Sequence, residues 1–306
     1  MRILVTGGAG FIGSNFVNYL SNKNHDLIIL DSLTYAADVK NLSEIDDRLY
    51  KLVIGDICDK NILRTIFPHI EYVVHFAAES HVDNSILFPE KFISTNILGT
   101  HNLLEAAREY SIKKFLYVST DEVYGSIDSG SFIESDNYSP SSPYSASKAA
   151  GEMLVMAYGK TFGLNYNISR CSNNYGPRQH KEKLIPCFID LLKNSKPVRL
   201  YGDGLNVRDW IYVDDHCEAL YRILQNGLNQ QVYNVSSSEE LSNLEITELL
   251  VTAMGVSRDL IQYVEDRPGH DFRYSISSKK IFADLGFSPK VTFEEGIQTT
   301  LKWYLR

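Results

Sequence analysis

Three features of this 306-residue sequence predict an α/β fold with a doubly wound parallel sheet. Short apolar runs alternate with longer amphipathic segments in the first half, as in repeated βαβ units. The first run, Arg2–Thr6, leads directly into a glycine-rich turn. After about Arg170, shorter elements lie between loops that contain Gly and Pro. We therefore expect a large sheet domain and a smaller C-terminal α/β lobe interleaved with it.

The individual elements follow from the apolar periodicity. Predicted strands are Arg2–Thr6, Asp26–Leu30, Tyr50–Ile54, Tyr72–Phe76, Lys114–Val118 and Asn165–Ser169. Predicted helices are Phe11–Lys23, Ile62–Phe67, Glu90–Tyr110, Tyr144–Phe162, Pro186–Lys193, Asp214–Gln225, Leu244–Met254 and Phe293–Leu305. We expect residues 1–170 to form the sheet domain and residues 171–306 to form mainly the smaller lobe.

Composition narrows the classes of function. The net charge of −8 argues against nucleic acid as a partner, because phosphate backbones require a basic surface. The four cysteines have neither C-x-x-C nor zinc-site spacing, which favours reduced thiols and no metal site. The N-terminus does not resemble a signal peptide, and no apolar run approaches the ~18 residues of a membrane span. We expect a soluble, cytoplasmic protein with no membrane partner.

A glycine motif, G-x-x-G-x-x-G, lies between the first strand and the first helix. It comprises Gly7, Gly10 and Gly13, with Phe11 and Ile12 inside it. Glycines allow a pyrophosphate to approach the helix N-terminus, where free amides and the helix dipole favour an anion. The motif therefore predicts a Rossmann-like dinucleotide site.

Acidic residues after the next two strands refine this prediction. Asp31 closes the second strand, where a carboxylate accepts hydrogen bonds from ribose hydroxyls and repels a 2′-phosphate. The cofactor is therefore expected to be NAD and not NADP. Asp56 follows the third strand, and we expect it near the adenine; alternatively, it is the N-cap of a helix that starts at Ile57.

Tyr144 and Lys148 are four residues apart and share one face of a predicted helix. A nearby ammonium favours phenolate and lowers the pKa of the phenol, so Tyr144 is predicted to act as a base toward a sugar hydroxyl. The alternative is an ordinary exposed Tyr–Lys pair.

Thr120, Asp121 and Glu122 follow the strand Lys114–Val118. Open α/β sheets bind ligands at this edge, so the Thr120 hydroxyl is expected to share a hydrogen bond with the sugar oxygen that Tyr144 attacks. Two adjacent carboxyls raise the pKa of one of them, which leaves one protonated acid and one ionised base. Elimination requires one acid and one base of this kind. Alternatively, one or both carboxyl groups face solvent in a turn.

The whole chain resembles the extended short-chain dehydrogenase/reductase family and, within it, the nucleotide-sugar 4,6-dehydratases, above all those acting on dTDP-glucose. The matching stretches are residues 6–13, Ala77–Asp83, Thr120–Gly125, Arg170–Pro177, Glu182–Pro186, Asn206–Trp210 and Asp266–Asp271. The resemblance implies that Ile57, Ala77, Tyr144 and Lys148 also contact NAD.

The resemblance implies an internal redox cycle on a nucleoside-diphosphate hexose. Tyr144 would take the C4 hydroxyl proton while C4 is oxidised. Glu122 would remove the C5 hydrogen, and Asp121 would protonate the departing C6 hydroxyl. Hydride would then return to C6, which gives a 4-keto-6-deoxy sugar nucleotide and regenerates NAD.

The resemblance also implies a set of substrate-binding residues. They are Ser80, Thr120, Asn173, Lys183, Leu184, Arg208, Asn243, Arg267, His270 and Tyr274. Arg208 and Arg267 are expected at the diphosphate because guanidinium matches phosphate geometry. The alternative for each arginine is a surface ion pair with its acidic neighbour, Asp209 or Asp266.

The chain departs from the dTDP-glucose pattern at Arg178–Lys181, Arg199 and Phe272. These positions leave open a UDP-sugar as the substrate. The rival activities are 4-epimerisation of a UDP-sugar, which needs Tyr144 and Lys148 but no carboxyl pair, and a non-catalytic NAD-binding regulatory role. The resemblance also implies a homodimer through the helices Glu90–Tyr110 and Tyr144–Phe162.

Overall fold

The computed structural model describes residues 1–266 and 270–306. The strands of this part of the chain are β1 Arg2–Thr6, β2 Asp26–Asp31, β3 Tyr50–Ile54, β4 Tyr72–His75, β5 Lys114–Thr120, β6 Tyr166–Cys171, β7 Asn173–Tyr175, β8 Val198–Tyr201, β9 Val207–Tyr212, β10 Gln231–Val235, β11 Glu240–Ser242 and β12 Ile261–Val264. The helices are α1 Phe11–Ser21, α2 Lys60–Ile66, α3 Val82–Leu87, α4 Pro89–Phe92, α5 Thr100–Glu109, α6 Pro143–Phe162, α7 Leu184–Lys193, α8 Val213–Asn226, α9 Asn243–Met254, α10 Lys279–Leu285 and α11 Phe293–Tyr304.

A seven-stranded parallel sheet forms the centre, in the order β3-β2-β1-β4-β5-β6-β10. The strand order reverses on either side of β1 and β4, which is the doubly wound arrangement. One apolar core lies between this sheet and helices α1 and α8, and another lies between the sheet and helices α2, α5 and α6. The predicted fold class is therefore confirmed.

The second half of the chain builds the smaller lobe and also completes the main sheet. Helices α7, α9 and α11 enclose a third core with the sheet β11-β9-β7. Strand β10 returns to pair with β6, so the lobe is interleaved with the sheet. The division at residue 170 stays a prediction. No helix in the described residues is both long and apolar enough to cross a membrane.

All six predicted strands are confirmed, β1 and β3 at their predicted bounds. The single helix predicted at Glu90–Tyr110 is wrong in detail, because a π-helical stretch, Ile93–Gly99, separates α4 from α5. Asn96 in this stretch exchanges hydrogen bonds with the backbone of Glu79 and donates to Ser147 Oγ at 2.8 Å. These tertiary bonds accompany a distortion that local periodicity does not reveal.

Several short elements have no counterpart in the prediction. They are α3, α10 and the strands β7 to β12. Helix α3 begins after His81, whose Nδ1 accepts a hydrogen bond from the Asn84 amide at 3.3 Å, and histidine is not a typical N-cap. The six strands contain three to six residues each, which is too short for a clear alternating pattern.

Candidate active site

One cavity of about 550 Å³ follows the carboxyl edge of the main sheet. Its walls include residues at or just after the carboxyl ends of β1, β2, β3, β4, β5 and β6. In an open α/β sheet this edge is where ligands bind, because loops diverge there on either side of the reversal in strand order. The cavity brings the predicted cofactor and catalytic residues together.

The glycine turn forms one end of the cavity. Gly7 has φ +70°, and a Cβ there would lie 2.7 Å from the Ala77 amide nitrogen. A Cβ on Gly13 would lie 2.1 Å from the Gly7 carbonyl oxygen. In the part of the chain that the structure describes, no side chain caps helix α1 at Gly10, so the first amides of this helix are available to an anion. This tight turn and uncapped helix fit a dinucleotide pyrophosphate.

Asp31 and Asp56 both line this cavity. The Asp31 carboxylate accepts hydrogen bonds from the amides of Ala9 and Leu33, at 2.9 and 2.8 Å, so it also holds the glycine turn. Asp56 accepts from the Cys58 amide at 2.8 Å. The alternative of a helix capped by Asp56 is wrong, because α2 begins at Lys60 with Asp59 as its cap.

Thr120 ends β5, and its side chain caps the short turn Asp121–Val123 by accepting a hydrogen bond from the Glu122 amide at 3.2 Å. The Thr120 hydroxyl also donates to Asp121 Oδ1 at 3.3 Å. All three residues of the predicted set, Thr120, Asp121 and Glu122, line the cavity. The alternative that Asp121 faces solvent is wrong, since it is 3 % exposed.

The surroundings of Asp121 favour the protonated form of its carboxyl. Burial, and then the charges of Glu122 and Asp209, raise the pKa of its carboxyl well above the usual range. The sequence predicted the effect of Glu122, but burial makes the larger contribution. Within the described residues, Asp121 Oδ2 is buried and has no hydrogen-bond partner. The raised pKa favours the protonated carboxyl, which can donate a hydrogen bond to a bound molecule.

Tyr144 and Lys148 project from the first turns of α6 into the same cavity. A reciprocal capping box between Ser142 and Ser145 and a proline at the first helical position define where this helix starts. The Lys148 ammonium donates to the Val118 carbonyl at 2.8 Å and lies 4.3 Å from the centroid of the Tyr117 ring. The alternative of an exposed Tyr–Lys pair is wrong for Lys148, which is 4 % exposed.

The predicted lowering of the Tyr144 pKa is wrong for this structure. Burial and the negative charge of Glu122 raise the pKa of the phenol, and a hydrogen bond with Thr120 opposes them. Burial also lowers the pKa of Lys148 to about 8. Removing both groups from water disfavours phenolate and ammonium alike, which the helical spacing by itself does not reveal.

The predicted substrate residues divide into two groups. Those that line the cavity are Ser80, Thr120, Asn173 and Lys183. The described candidates outside its lining are Leu184, Arg208, Asn243, His270 and Tyr274. Lys183 donates to the Ser80 carbonyl at 2.9 Å, which joins the two sides of the cavity. Arg267 lies outside the described residues.

Arg208 is buried, so the alternative of a surface ion pair is wrong. Its guanidinium donates to the carbonyls of Val207, Phe272 and Asp271 and lies 4.2 Å from the centroid of the Tyr274 ring. The Tyr274 hydroxyl donates to Asp271 Oδ2 at 2.6 Å. Burial raises the pKa of Asp121, and the Arg208 charge partly opposes this rise, so the guanidinium influences the Asp121 carboxyl.

The remaining described candidates lie in the second half of the chain and make local contacts. His270 Nδ1 pairs with Asp266 Oδ1 at 2.7 Å. Leu184 and Asn243 are the first residues of α7 and α9. The Asn243 amide donates to the Asn206 carbonyl at 3.0 Å.

Sequence reasoning assigned no role to several residues of the cavity wall. Cys171 is the last residue of β6 and Ser172 follows it, and both line the cavity with the catalytic candidates. They lie at the carboxyl end of a strand, so the rule that selected Thr120 would have found them. Glu79 also lines the cavity, held by Asn96, which is a tertiary contact that has no local sequence signal.

Comparison with known proteins supports the same class. The family model described as GDP-mannose 4,6 dehydratase matches residues 4–300. A dTDP-glucose 4,6-dehydratase of Streptomyces niveus is 46 % identical, over 99 % of this chain and 93 % of that protein. The low-salt glycan biosynthesis protein Agl12 of Haloferax volcanii is 50 % identical, over 100 % of this chain and 99 % of that protein.

Solved structures agree with the family match. DesIV, a dTDP-glucose 4,6-dehydratase of Streptomyces venezuelae crystallised with NAD, has a TM-score of 0.98 at 46 % identity, covering 100 % of this chain and 97 % of that one. A UDP-glucose 4-epimerase of Thermotoga maritima has a TM-score of 0.94 at 32 % identity, covering 100 % and 99 %. The fold and the site define an extended short-chain dehydrogenase/reductase. Within that class, the chain belongs to the GDP-mannose 4,6 dehydratase family, so the predicted nucleotide-sugar 4,6-dehydratase class is confirmed.

Proposed function

We propose that this protein is an NAD-dependent 4,6-dehydratase of a nucleoside-diphosphate hexose, with dTDP-glucose as its substrate. The observation that carries the proposal is the buried carboxyl oxygen of Asp121, which has no hydrogen-bond partner among residues 1–266 and 270–306. Asp121 lines the same cavity as Glu122, Tyr144 and Lys148. The relatives named dTDP-glucose 4,6-dehydratase cover nearly the whole chain and support the choice of substrate.

The glycine turn and Asp31 would hold the cofactor. The uncapped amides of α1 would bind its pyrophosphate, and Asp31 would accept hydrogen bonds from its adenosine ribose. Asp56, Ile57 and Ala77 would line the parts of the cavity that hold the adenine and nicotinamide rings. When bound, NAD supplies a hydride acceptor for C4 of the sugar and a hydride donor for C6.

Tyr144 and Thr120 would act on the C4 hydroxyl. Tyr144 would take its proton as hydride leaves C4, and the Thr120 hydroxyl would hold the same oxygen. Because the pKa of Tyr144 is raised, the phenol requires positive charge beside it to act as a base. Lys148 lies one helical turn later on the same face and would supply that charge.

Asp121 and Glu122 would carry out the elimination. Oxidation at C4 makes the C5 hydrogen acidic, and Glu122 would remove it as a proton. The C6–O bond then breaks, and Asp121 would protonate the departing oxygen to give water. Hydride addition at C6 and return of a proton to C5 complete the 4-keto-6-deoxy sugar.

Mass spectrometry of the product tests this function and separates it from its rivals. We expect a product lighter than dTDP-glucose by one water. A product of unchanged mass would instead support 4-epimerisation, and no product from any dTDP-, UDP-, GDP- or CDP-sugar would support a non-catalytic role. Deuterium placed at C4 should reappear at C6, and its release to solvent would contradict hydride return.

The choice between dTDP and UDP concerns the altered segment Arg178–Lys181. The Arg178 side chain contacts Asn15 and Glu44, whereas Gln179 and His180 line the cavity. We propose that His180 contributes to nucleotide selection. His180→Phe should change the ratio of kcat/KM for dTDP-glucose to that for UDP-glucose; an unchanged ratio would exclude His180.

We also propose that the protein is a homodimer. Exposed apolar side chains lie along residues 82–109 and along α6. They are Ile86, Leu87, Phe88, Ile93, Leu98, Met153 and Phe162. Leu87→Glu should reduce the mass measured by sedimentation from dimer to monomer, whereas Leu228→Glu, at an exposed leucine elsewhere, should not. A monomeric unsubstituted protein would contradict the proposal.

We further propose a cytoplasmic location, because all four cysteines are free thiols. Fractionation of cells that express the protein tests it. Recovery in the cytoplasmic fraction is expected, and recovery elsewhere would contradict it.

A further inference from the structure

A buried ionic cluster lies next to the candidate catalytic residues. Arg170 near the end of β6 forms a salt bridge with Glu152 of α6, with 2.7 Å between Nη2 and Oε2. The Arg170 Nε donates to the other oxygen of this carboxylate, Oε1, at 3.2 Å. The two side chains are 1 % and 0 % exposed. Two parallel hydrogen bonds of this kind fix both the distance and the orientation of the groups.

The same guanidinium binds two tyrosines from the segment between Glu122 and Tyr144. Its Nη1 donates to the Tyr124 hydroxyl at 2.5 Å, and its Nη2 donates to the Tyr138 hydroxyl at 2.6 Å. Tyr138 donates to Glu152 Oε2 at 2.8 Å, and Tyr124 donates to Asn234 Oδ1 at 2.9 Å. The hydroxyls therefore have defined partners on both sides.

This cluster joins the two elements that carry the proposed chemistry. Tyr124 ends the turn Asp121–Val123, and its amide donates to the Asp121 carbonyl at 3.0 Å. Glu152 lies one helical turn after Lys148 in α6. A chain of direct contacts therefore runs from the Asp121–Val123 turn, through Arg170, to the helix that carries Tyr144 and Lys148.

Stability alone does not account for such a cluster. Moving two charges out of water costs free energy that their attraction often fails to recover, and apolar side chains of equal volume are frequently as stable. A guanidinium–carboxylate pair does supply direction, because its planar donors accept partners at only a few angles.

We propose that Arg170 is a positioning residue that, through Tyr124, holds the Asp121–Val123 turn against helix α6. Its effect is to keep the carboxyl groups of Asp121 and Glu122 aligned with the sugar after C4 has been oxidised. The inference rests on the proposed dehydratase function.

Tyr124→Phe tests the proposal with the removal of one oxygen. The ring stacks on Phe132, with centroids 5.0 Å apart and planes at 12°, and phenylalanine keeps this contact. We expect elimination to slow about tenfold, the rate equivalent of one lost hydrogen bond to a charged group. Reduced cofactor should then accumulate during turnover and kcat should fall, while KM changes little. Arg170→Lys should act in the same direction, because an ammonium lacks the planar fork.

Tyr158→Phe is the matched control. It removes the same atom from a tyrosine outside the cluster, in helix α6, where the hydroxyl donates to Glu105 Oε1 at 2.5 Å. Its fraction of reduced cofactor should equal that of the unsubstituted enzyme. If Tyr124→Phe or folded Arg170→Lys lowers Tm but leaves that fraction unchanged, the cluster has only a structural role and the proposal is overturned. If the unsubstituted enzyme releases no water from any nucleotide sugar, the proposed function fails instead.

Discussion

At the scale of single residues, burial decides the chemistry of the carboxyl pair. Asp121 and Glu122 are neighbours in sequence, but the turn buries Asp121 among Thr120, Cys171 and Asp209. Water is then unavailable to stabilise its ionised form, so its pKa rises. A raised pKa favours the protonated carboxyl, which is the form that a general acid requires.

Asp121→Asn should therefore slow elimination more than oxidation at C4. Asparagine keeps the shape of the side chain but does not donate an acidic proton, so kcat should fall by about 10²–10³-fold. Reduced cofactor should accumulate when substrate is added, as followed by its near-ultraviolet absorbance. Asp128→Asn, at an exposed position of the same segment, is the control. Turnover of Asp121→Asn at the unsubstituted rate would show that Asp121 is not the acid.

The pH dependence of activity should report Lys148. Burial lowers the pKa of its ammonium to about 8, so the positive charge near Tyr144 is present below that pH and is lost above it. We expect kcat to fall as the pH rises through about 8. Lys148→Met should be slow at every pH and should lack this alkaline decrease. A kcat that stays constant from pH 7 to about pH 9 would contradict the assigned role.

At the scale of elements, two junctions set the position of the site. Helix α6 starts at a capping box and places Tyr144 in its first turn, with Lys148 one turn later. The turn between β1 and α1 has no side-chain cap and depends on close backbone contact between Gly7 and Gly13. Each junction fixes a functional group relative to the sheet edge.

Gly13→Ala should disrupt the second junction. Its Cβ would lie 2.1 Å from a backbone oxygen, so the start of α1 must shift, at a cost of about 1–3 kcal/mol in the free energy of unfolding. We expect a lower Tm and at least a roughly tenfold rise in the Kd for NAD, measured by calorimetry. Asn18→Ala, at a half-buried position of the same helix, should leave both near their original values. Unchanged NAD affinity in Gly13→Ala would exclude the turn as the pyrophosphate site.

At the scale of the whole molecule, the two halves of the chain depend on each other. Strand β10 and helix α8 come from the second half but pack on the main sheet. His216 in α8 is fully buried, and its Nδ1 lies 2.8 Å from Asn174 Oδ1 in β7, beside the cavity. Burial lowers the pKa of His216 to about 3. At pH values between about 3 and 6.5, the folded protein therefore keeps this ring neutral, whereas the ring binds a proton in the unfolded chain.

His216→Gln should reduce the sensitivity of the fold to acid. Between pH 6.5 and about 3 the unfolded state binds one more proton at His216, so stability is lost as the pH falls through this window. This one group changes the free energy of unfolding by up to about 1.4 kcal/mol per pH unit. In urea unfolding, the difference in the free energy of unfolding between the unsubstituted protein and the variant should become smaller as the pH falls. For the control His69→Gln, at an exposed histidine, the free energy of unfolding plotted against pH should run parallel to that of the unsubstituted protein. A difference in the free energy of unfolding that stays constant with pH for His216→Gln would contradict the prediction.

Much of the sheet and one half of the site could be predicted from local pattern. The glycine turn, Asp31 and the residues after β5 follow strands with clear apolar runs, so their places at the sheet edge were predictable. The strands of the smaller lobe were not, because pairs such as β9 with β11 involve few residues and depend on tertiary packing. Arg208 was predicted at the diphosphate, with a surface ion pair as the alternative. The fold buries it against Tyr274, which contradicts only that alternative and which no local pattern reveals.

The sequence by itself determined the parallel sheet, the dinucleotide turn and the presence of an acid–base pair beside a Tyr–Lys pair, because periodicity and strand-end position are local properties. Only the tertiary structure decided the direction in which the pKa of each of these groups shifts. The pKa values of Asp121, Tyr144 and Lys148 all depend on removal from water by elements distant in the chain. The Arg170 cluster that connects them likewise exists only after β6, α6 and residues 124–138 have packed together.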